Sequence, residues 1–506
     1  MYSEKLMKLF RKPHNFGKIK NADAVGKVGN PVCVLPETMV FCNDNIRPIT
    51  EIGVREKVLS HDGGYHEVKE TFRRRYSGEI IILKNKLGTT ALTPDHHVLA
   101  IKRPSGHRFN YTRNKRNLVS SWCHASELKR RDILLYPILK ETADIKEIPL
   151  QIERLKFDFK SKKLPKKIKV DKDFLLLAGY FIAEGSTKCE KCRTFLTFTF
   201  GSKEKSYVED VKRLVKNIFG LDVKIVYKHE HNSVDVIVYS AGLARFFRSL
   251  FGDKVENKHI PHFMMLLPTQ KQKNLILGLW RGDGYIGIAG GKWPRAGYST
   301  VSHQLVQQIK ILLLRQKISP SFYEDKERVK DGVHHQKSYR VHVSERRSMV
   351  RLANILGVRL KFVKNVSEKT WFDSNFLYAP VTKKESLPYE GFVNNLGIDK
   401  PNSYISESAT LHNCGDVMYL YLKIKDDVIK DVKFETFGCA AAIGTSSIIT
   451  DLIKGKKIDD ALKISKDDIA KELGGLPPIK MHCSVLATEA LKKAVEEYRI
   501  KQRRKK

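Results

Sequence analysis

The organisation of this chain is decided by two stretches, GNPVCVLPETMVF at residues 29–41 and TLHNCGD at residues 410–416. They bound a central segment that begins with Cys33, ends with Asn413 and is followed by Cys414. A thiol at the first position of such a segment can attack the preceding carbonyl and turn an amide into a thioester. A terminal asparagine can cyclise through its side-chain amide and cut its own peptide bond. The two ends therefore carry the groups that are needed to remove the segment between them.

These groups predict a precursor that excises residues 33–413 and joins residues 1–32 to residues 414–506. The acyl group would pass from Cys33 to Cys414 before the asparagine releases the segment. Attack on a relaxed amide is uphill, so the carbonyl needs strain or a hydrogen-bond donor. Both thiols and the carbonyl must also be held in contact, which a folded domain can enforce.

Four stretches of the central segment resemble the splicing blocks of inteins: CVLPETMVF (33–41), GTTALTPDHHVLA (88–100), GFVNNLGIDKPNSYIS (391–406) and TLHN (410–413). Short β-branched runs broken by turn signals are typical of strands in the same regions. The resemblance implies an all-β, Hint-type splicing domain formed by residues 33–145 and 375–413.

The intein resemblance also assigns roles to individual side chains. Thr93 and His96 would polarise the peptide bond that precedes Cys33, with His97 as a neighbouring alternative that the spacing disfavours. His412 would assist cyclisation of the last residue. Taken without its context, a histidine such as His96 is more often part of a core.

The chain departs from the intein pattern at two positions. Many inteins carry Asp in the penultimate block where this chain has Asn395, and His where it has Asn402. Asn395 can form hydrogen bonds, but it cannot act as an anion. The group that couples the two cleavages is therefore left open by the sequence.

The outer segments, once joined, give a 125-residue protein with the junction GNPV–CGD, followed by TFGCAAAIG (436–444) and GGLPPIKMHCSVLA (474–487). This combination resembles the IscU/NifU-type iron–sulfur scaffolds over essentially its whole length. The resemblance implies a small α+β scaffold whose two parts, residues 1–32 and 414–506, are separated by the central segment.

The scaffold resemblance implies a ligand set for a [2Fe–2S] cluster or for zinc. Its members are Cys414, Asp416, Cys439, His482 and Cys483. It also implies a cysteine desulfurase as partner and a chaperone that binds LPPIK at 476–480. Without the resemblance, Cys439 and Cys483 would be interpreted as buried core thiols.

Two similar stretches lie inside the central segment, LLAGYFIAEG at 176–185 and LILGLWRGDG at 275–284. Gly179 and Gly278 would let two helices approach closely, so that the acids at their ends emerge together. These acids, Glu184 and Asp283, can share divalent ions for phosphodiester hydrolysis, and Mg²⁺ is the expected ion. The pair resembles the double-motif LAGLIDADG homing endonucleases, which implies an α+β domain of two pseudo-symmetric repeats over residues 171–365.

Charge and a flanking motif support a nucleic-acid partner for this inner domain. The central segment carries +26 of the chain's net charge of +36, which favours double-stranded DNA, here the intein-free coding junction. NKHIPHF at 257–263 resembles the block before the second motif and would make Lys258 a charge stabiliser. The alternatives are a solvated lysine and a pair of packed helices without activity.

The remaining features bound the setting of the protein. Eight irregularly spaced cysteines and an N-terminus without an apolar signal favour a reducing compartment, and we expect a cytoplasmic protein. No run approaches the roughly 18 apolar residues of a membrane span. Cys189 and Cys192 form a lone CxxC that is expected to be a plain loop. The competing interpretation of the whole chain is an unspliced DNA-binding nuclease with a metal-binding appendage.

Overall fold

The structure is a computed structural model of the 506-residue chain. It describes residues 3–29, 32–43, 46–103, 118–151, 164–190, 193–289, 293–330, 333–360, 368–398, 400–413, 417–437, 440–477 and 481–503. Cys414, Asp416 and Cys439 therefore lie outside the described residues, and so does the side chain of His482.

The elements follow one another in chain order. The first half contains α1 (Glu4–Arg11), β1 (Ala24–Gly29), β2 (Met39–Phe41), β3 (Ile46–Pro48), β4 (Lys57–Leu59), β5 (Tyr65–Asn85), β6 (Gly88–Leu92), β7 (His97–Ile101), β8 (Ser121–His124), β9 (Ile133–Pro137), β10 (Glu147–Pro149), β11 (Lys167–Lys169), α2 (Lys172–Glu184), β12 (Gly185–Glu190), β13 (Arg193–Gly201), α3 (Lys205–Phe219), β14 (Lys224–Lys228), β15 (Ser233–Val238) and α4 (Ala241–Phe251). The second half contains α5 (His262–Leu266), α6 (Thr269–Gly282), β16 (Gly284–Ala289), β17 (Trp293–Thr300), α7 (His303–Arg315), β18 (Ser321–Asp325), β19 (Arg328–Lys330), β20 (Val333–His335), β21 (Ser338–Val343), α8 (Arg346–Leu356), β22 (Trp371–Phe372), β23 (Phe376–Pro380), β24 (Lys383–Ile398), β25 (Ser403–Ile405), β26 (Thr410–His412), β27 (Val417–Lys425), β28 (Val428–Phe437), α9 (Ala440–Ile453), α10 (Ile458–Ala461), α11 (Lys466–Glu472) and α12 (Met481–Arg503).

The two ends of the chain form one α+β unit. Strand β1 pairs antiparallel with β27, with Gly29 opposite Val417, and β27 pairs with β28. Asp426 and Asp427 turn that hairpin with positive φ angles of 53° and 55°, as a two-residue hairpin turn requires. Helices α1, α9, α11 and α12 share a core with this sheet. The alternation in MYLYLKIK places Met418 and every second residue after it in that core.

The next unit inward is built from strands on both sides of the inner domain. The long strand β5 pairs with β24, and strand β7 connects β9 to β26 in a second sheet. Apolar side chains of both sheets meet in one core that includes Val34, Val98 and Leu411. Regular helix in the described parts of residues 33–145 and 375–413 is limited to single 3₁₀ turns.

The innermost unit repeats one arrangement twice. The first four-stranded sheet has the order β12-β13-β15-β14, and the second has the order β16-β17-β21-β18. Each sheet follows directly on one of the central helices α2 and α6, which pack against each other. Cys189 lies in β12, whereas the sequence predicted a loop, and Cys192 lies outside the described residues.

Helix α7 connects the innermost unit to the β unit. The buried Lys310 on this helix donates to the carbonyl of Glu407 (2.7 Å), in the loop between β25 and β26. His303 contacts the Glu407 carboxylate through Nε2 (2.9 Å). Within the described residues, no helix is both long and apolar enough to cross a membrane.

Candidate functional sites

Cys33 and the residue before it are enclosed in the β unit. Val32 is 2% exposed and Cys33 is 1% exposed. The Cys33 N–H donates to Thr93 Oγ1 (3.0 Å), while the Thr93 hydroxyl donates to the Cys33 carbonyl (3.2 Å). The Thr93 N–H also donates to that carbonyl (3.0 Å). Thr93, which follows directly after β6, therefore contacts the peptide units on both sides of Cys33.

His96 also contacts the Cys33 carbonyl. A tight turn, closed by the His96 N–H on the Thr93 carbonyl (3.0 Å), brings its Nδ1 to 3.0 Å from the Cys33 oxygen. Burial, together with His412 nearby, lowers the pKa of His96 to about 4. The ring is therefore neutral near pH 7, and the carbonyl partner assigns its proton to Nδ1. His97, the alternative in the sequence, packs instead against His124 with ring centroids 4.3 Å apart.

Asn395 reaches the carbonyl that Cys33 would attack. Its Nδ2 donates to the Val32 oxygen at 2.6 Å, and its Oδ1 accepts the Leu396 N–H at 2.8 Å. Asn395 is 2% exposed. The sequence marked this position as a missing acid, and no pattern in the sequence pointed to this contact. The two residues of this contact lie 363 positions apart along the chain, so the contact is visible only in the folded structure.

The Cys33 thiol lies in a low-dielectric environment next to one cation. Burial raises the pKa of the thiol, and the Arg74 guanidinium opposes that rise through its charge and a hydrogen bond. Arg74 is on β5, opposite Val393 of β24, so the strand pairing that builds the unit also positions the charge. The thiol is protonated near neutral pH and must lose a proton before it attacks.

Asn413 is held at the other end of the segment. Its Nδ2 donates to the Ile398 carbonyl (2.7 Å), and its backbone N–H donates to the Asn402 carbonyl (3.0 Å). Asn413 is 2% exposed. The ring of His412 packs edge-on against Trp122 with centroids 4.8 Å apart. The second departure from the intein pattern, Asn402, thus acts here through its backbone.

The candidate acids of the innermost unit stand at the ends of the two central helices. Glu184 is the last residue of α2, and Asp283 follows α6 directly. The helices meet at Gly179 and Gly278, where a β-carbon on Gly179 would lie 2.7 Å from the Gly278 Cα. This is the close approach that the sequence predicts. At Gly282 a β-carbon would lie 2.9 Å from Glu184 Cγ, so the two helix ends also touch.

The negative charge of Asp283 acts on the Glu184 carboxyl. Burial and the negative charge of Asp283 raise the pKa of Glu184 to about 7. Desolvation raises the pKa of the partly exposed Asp283 to about 6, although Tyr298 donates a hydrogen bond to it (3.2 Å). A divalent cation between two such carboxylates would remove their repulsion, so the donor set fits Mg²⁺.

Lys258 lies beside this centre in a structural position. Its ammonium donates to the carbonyls of Phe181 (3.1 Å) and Gly185 (2.9 Å) at the C-terminal end of α2. Lys258 is 4% exposed, and burial lowers its pKa to about 8. A cation at a helix C-terminus satisfies carbonyls that have no intrahelical partner. Lys258 thus holds the turn that carries Glu184.

The candidate cluster ligands are described only at Cys483. Its side chain lies in the core of the outer unit at the start of α12 and is fully buried. Within the described parts of the chain, no three His, Cys, Asp or Glu side chains gather to hold a metal ion. Full burial in an apolar core is what the alternative, a core thiol, predicts for Cys483. Of the LPPIK stretch, residues 478–480 lie outside the described residues.

Two protein families match separate parts of the chain. The NifU-like N terminal domain matches residues 394–505, and the LAGLIDADG-like domain matches residues 171–251 and 270–357. An uncharacterized protein of Methanocaldococcus jannaschii is 31% identical over 425 residues, which is 78% of this chain and 51% of that protein. The chain spans about half the length of the first curated relatives that it matches.

A shorter relative is covered almost completely. Iron sulfur cluster assembly protein 1, mitochondrial, of Debaryomyces hansenii is 44% identical over 161 residues, 31% of this chain and 87% of that protein. The solved structure of I-DmoI in complex with DNA and Mn matches 38% of this chain and 100% of its own, at 16% identity and a TM-score of 0.29. The chain belongs to the IscU/NifU family of iron–sulfur cluster assembly proteins, and its interior also carries a LAGLIDADG-like domain.

Proposed function

We propose that the chain is a self-splicing precursor that excises residues 33–413 and joins residues 1–32 to residues 414–506. In this proposal residues 33–145 and 375–413 form a Hint-type splicing domain. Cys33 is the first nucleophile, Cys414 the second, and Asn413 cyclises with help from His412. Thr93 and His96 orient the first peptide bond.

The observation that carries this proposal is the placement of both ends of the segment in one β unit. Cys33 and Asn413 are both buried there, and strand β26, which leads to Asn413, pairs with β7 beside His96. In the flanking segments, outside residues 33–413, Gly29 pairs with Val417 in the outer sheet. The flanking parts therefore keep the two cut points close, which raises the effective concentration of the reacting groups.

Mass spectrometry of the purified products tests the proposal. The wild type should give fragments of 381 residues (33–413) and 125 residues (1–32 joined to 414–506). The double variant Cys33→Ala, Asn413→Ala should remain at the full precursor mass. Cys123→Ala, which removes another buried free thiol of the same β unit, should splice as the wild type does. A wild type that stays at full length would instead support the unspliced nuclease with a metal-binding appendage.

The innermost unit, expected over residues 171–365, is proposed to cut double-stranded DNA at the coding junction GNPV–CGD. Glu184 and Asp283 would hold Mg²⁺, which supplies Lewis-acid activation of the phosphodiester. Lys258 would stabilise charge there, directly or through the turn that it holds. Cutting should be lost in Glu184→Gln and in Asp283→Asn. The exposed control Glu209→Gln should retain it, and equal cutting by all variants would remove these acids from the mechanism.

The joined outer segments are proposed to assemble a [2Fe–2S] cluster as cargo, with zinc as a substitute in the same site. Cys414, Asp416, Cys439, His482 and Cys483 are the proposed ligands. The resemblance adds a cysteine desulfurase, a chaperone at residues 476–480 and a cytoplasmic setting. The 125-residue product should develop an iron–sulfur chromophore on reconstitution. If Cys439→Ala develops it equally, the ligand assignment is wrong.

A further inference from the structure

The most informative contact at the first junction involves the residue that departs from the intein pattern. Asn395 Nδ2 lies 2.6 Å from the Val32 carbonyl oxygen, the oxygen that would become negative when Cys33 attacks. The side chain cannot turn its other end to that oxygen without losing a bond, because its Oδ1 accepts the Leu396 N–H. The amide is thus oriented as a donor. Both Asn395 and Val32 are buried at 2% exposure, where such a bond is strengthened by the low dielectric.

We propose that Asn395 is a catalytic residue of the first splicing step and donates to the oxyanion that forms on Val32. This inference rests on the splicing proposal and deepens it. An aspartate in the same place could donate only in its protonated form, whereas an asparagine donates at every pH. The substitution of Asn for the usual acid therefore preserves one function, carbonyl activation, in a form that does not depend on protonation.

The step balances without any co-reactant. The thiol of Cys33 loses its proton, the Sγ–C bond to Val32 forms, and the π pair of the carbonyl moves to oxygen. Asn395 stabilises that charge while Thr93 Oγ1 accepts the N–H of the bond that will break. On collapse, the C–N bond breaks, and the Cys33 nitrogen takes up one proton and becomes an amine. The product is an isomer of the starting chain.

Backbone geometry makes the donor a fixed one. Asn394, the preceding residue on β24, exchanges two backbone hydrogen bonds with Val34, each 2.8 Å long. This pair anchors β24 beside the junction, because Asn394 adjoins Asn395 and Val34 adjoins Cys33. Asn395 therefore needs no rearrangement to meet the developing charge, which is the condition under which an oxyanion donor contributes most.

The first step can be isolated in full-length protein with Asn413→Ala and Cys414→Ala, which block release and the second transfer. Added dithiothreitol then cleaves the thioester and frees residues 1–32 at a rate that mass spectrometry measures. Asn395→Leu, which keeps the branching of the side chain and removes the donor, should lower that rate roughly 10²–10³-fold. Asn395→Asp should be slow at pH 8, and its rate relative to the parent should rise as the pH falls and the carboxyl becomes protonated.

Asn394→Ala is the matched control, because it shortens the adjacent side chain and leaves the Val32 contact in place. It should cleave at a rate within about threefold of the parent, in contrast to the roughly 10²–10³-fold loss expected for Asn395→Leu. Melting curves for all variants show which of them fold. If the parent cleaves and a folded Asn395→Leu cleaves equally fast, the inference is wrong. If the parent itself gives no thiol-dependent cleavage, the splicing proposal is wrong.

Discussion

Gly179 and Gly278 touch at the crossing of α2 and α6. A β-carbon on Gly179 would lie 2.6 Å from the Leu275 carbonyl oxygen and 2.7 Å from the Gly278 Cα. These neighbours are backbone atoms, which cannot move aside as the end of a side chain can. The contact fixes the spacing of the helices, and with it the spacing of the two acids at their ends.

Gly179→Ala is therefore expected to separate the helices and weaken both stability and DNA cutting. Overpacking of this kind costs about 1–3 kcal/mol, which should appear as a lower melting temperature. Cutting should fall further than stability alone explains, because Glu184 and Asp283 move apart. Gly287→Ala is the control, since a β-carbon there meets no atom within 4 Å. If both variants melt and cut alike, the helix crossing does not set the geometry of the site.

A second prediction concerns Arg74 and the pH dependence of the first splicing step. Burial raises the pKa of the Cys33 thiol and Arg74 opposes the rise. At pH values below the pKa of the Cys33 thiol, cleavage by dithiothreitol should become about tenfold faster per pH unit. Arg74→Met should shift this profile to higher pH and slow the reaction at pH 7, and Arg74→Lys should restore part of the rate.

The neighbouring Arg73 supplies the control for that experiment. Its guanidinium lies 4.0 Å from the centre of the Phe392 ring on the exposed side of the same strand. Arg73→Met removes an equal charge from the protein without removing it from the thiol. A profile that shifts equally in both variants would show a general effect of charge rather than a contact with Cys33.

The sequence predicted those features that depend on local pattern. The two helices, their glycines and the acids at their ends follow from a repeat of ten residues. Strand β1 was not predicted, because AVGKVG carries two glycines and acquires its strand structure by pairing with β27.

Local sequence patterns could not predict the contact between Asn395 and Val32. It joins residues that are distant in sequence, and a hydrogen bond of this kind depends on how β24 is registered in its sheet. Lys258 shows the same limit. Its position near the acids was predicted, but its bonds to the carbonyls of α2 depend on where that helix ends.

A third prediction follows from the raised pKa values of the two acids. With the pKa of Glu184 at about 7 and that of Asp283 at about 6, protons compete with Mg²⁺ across this range. The Mg²⁺ concentration that gives half-maximal cutting should be lowest near pH 8. It should rise about tenfold per unit below pH 7, and more steeply below pH 6. A requirement for Mg²⁺ that stays constant from pH 8 to pH 5.5 would contradict this.

The last prediction concerns the stability of the metal-free protein. The pKa of Glu184 is raised from 4.5 to about 7 in the folded chain, chiefly by burial. Between these values the folded state binds more protons than the unfolded state, so the free energy of unfolding decreases as the pH rises through this window. Glu184→Gln removes the penalty and should raise the melting temperature above that of the wild type at pH 8, with no difference near pH 4. Added Mg²⁺ should then stabilise the wild type more than the variant, because the ion offsets a repulsion that the variant has lost. Equal melting temperatures at pH 8 without metal would show that Glu184 is solvated and is not held against Asp283.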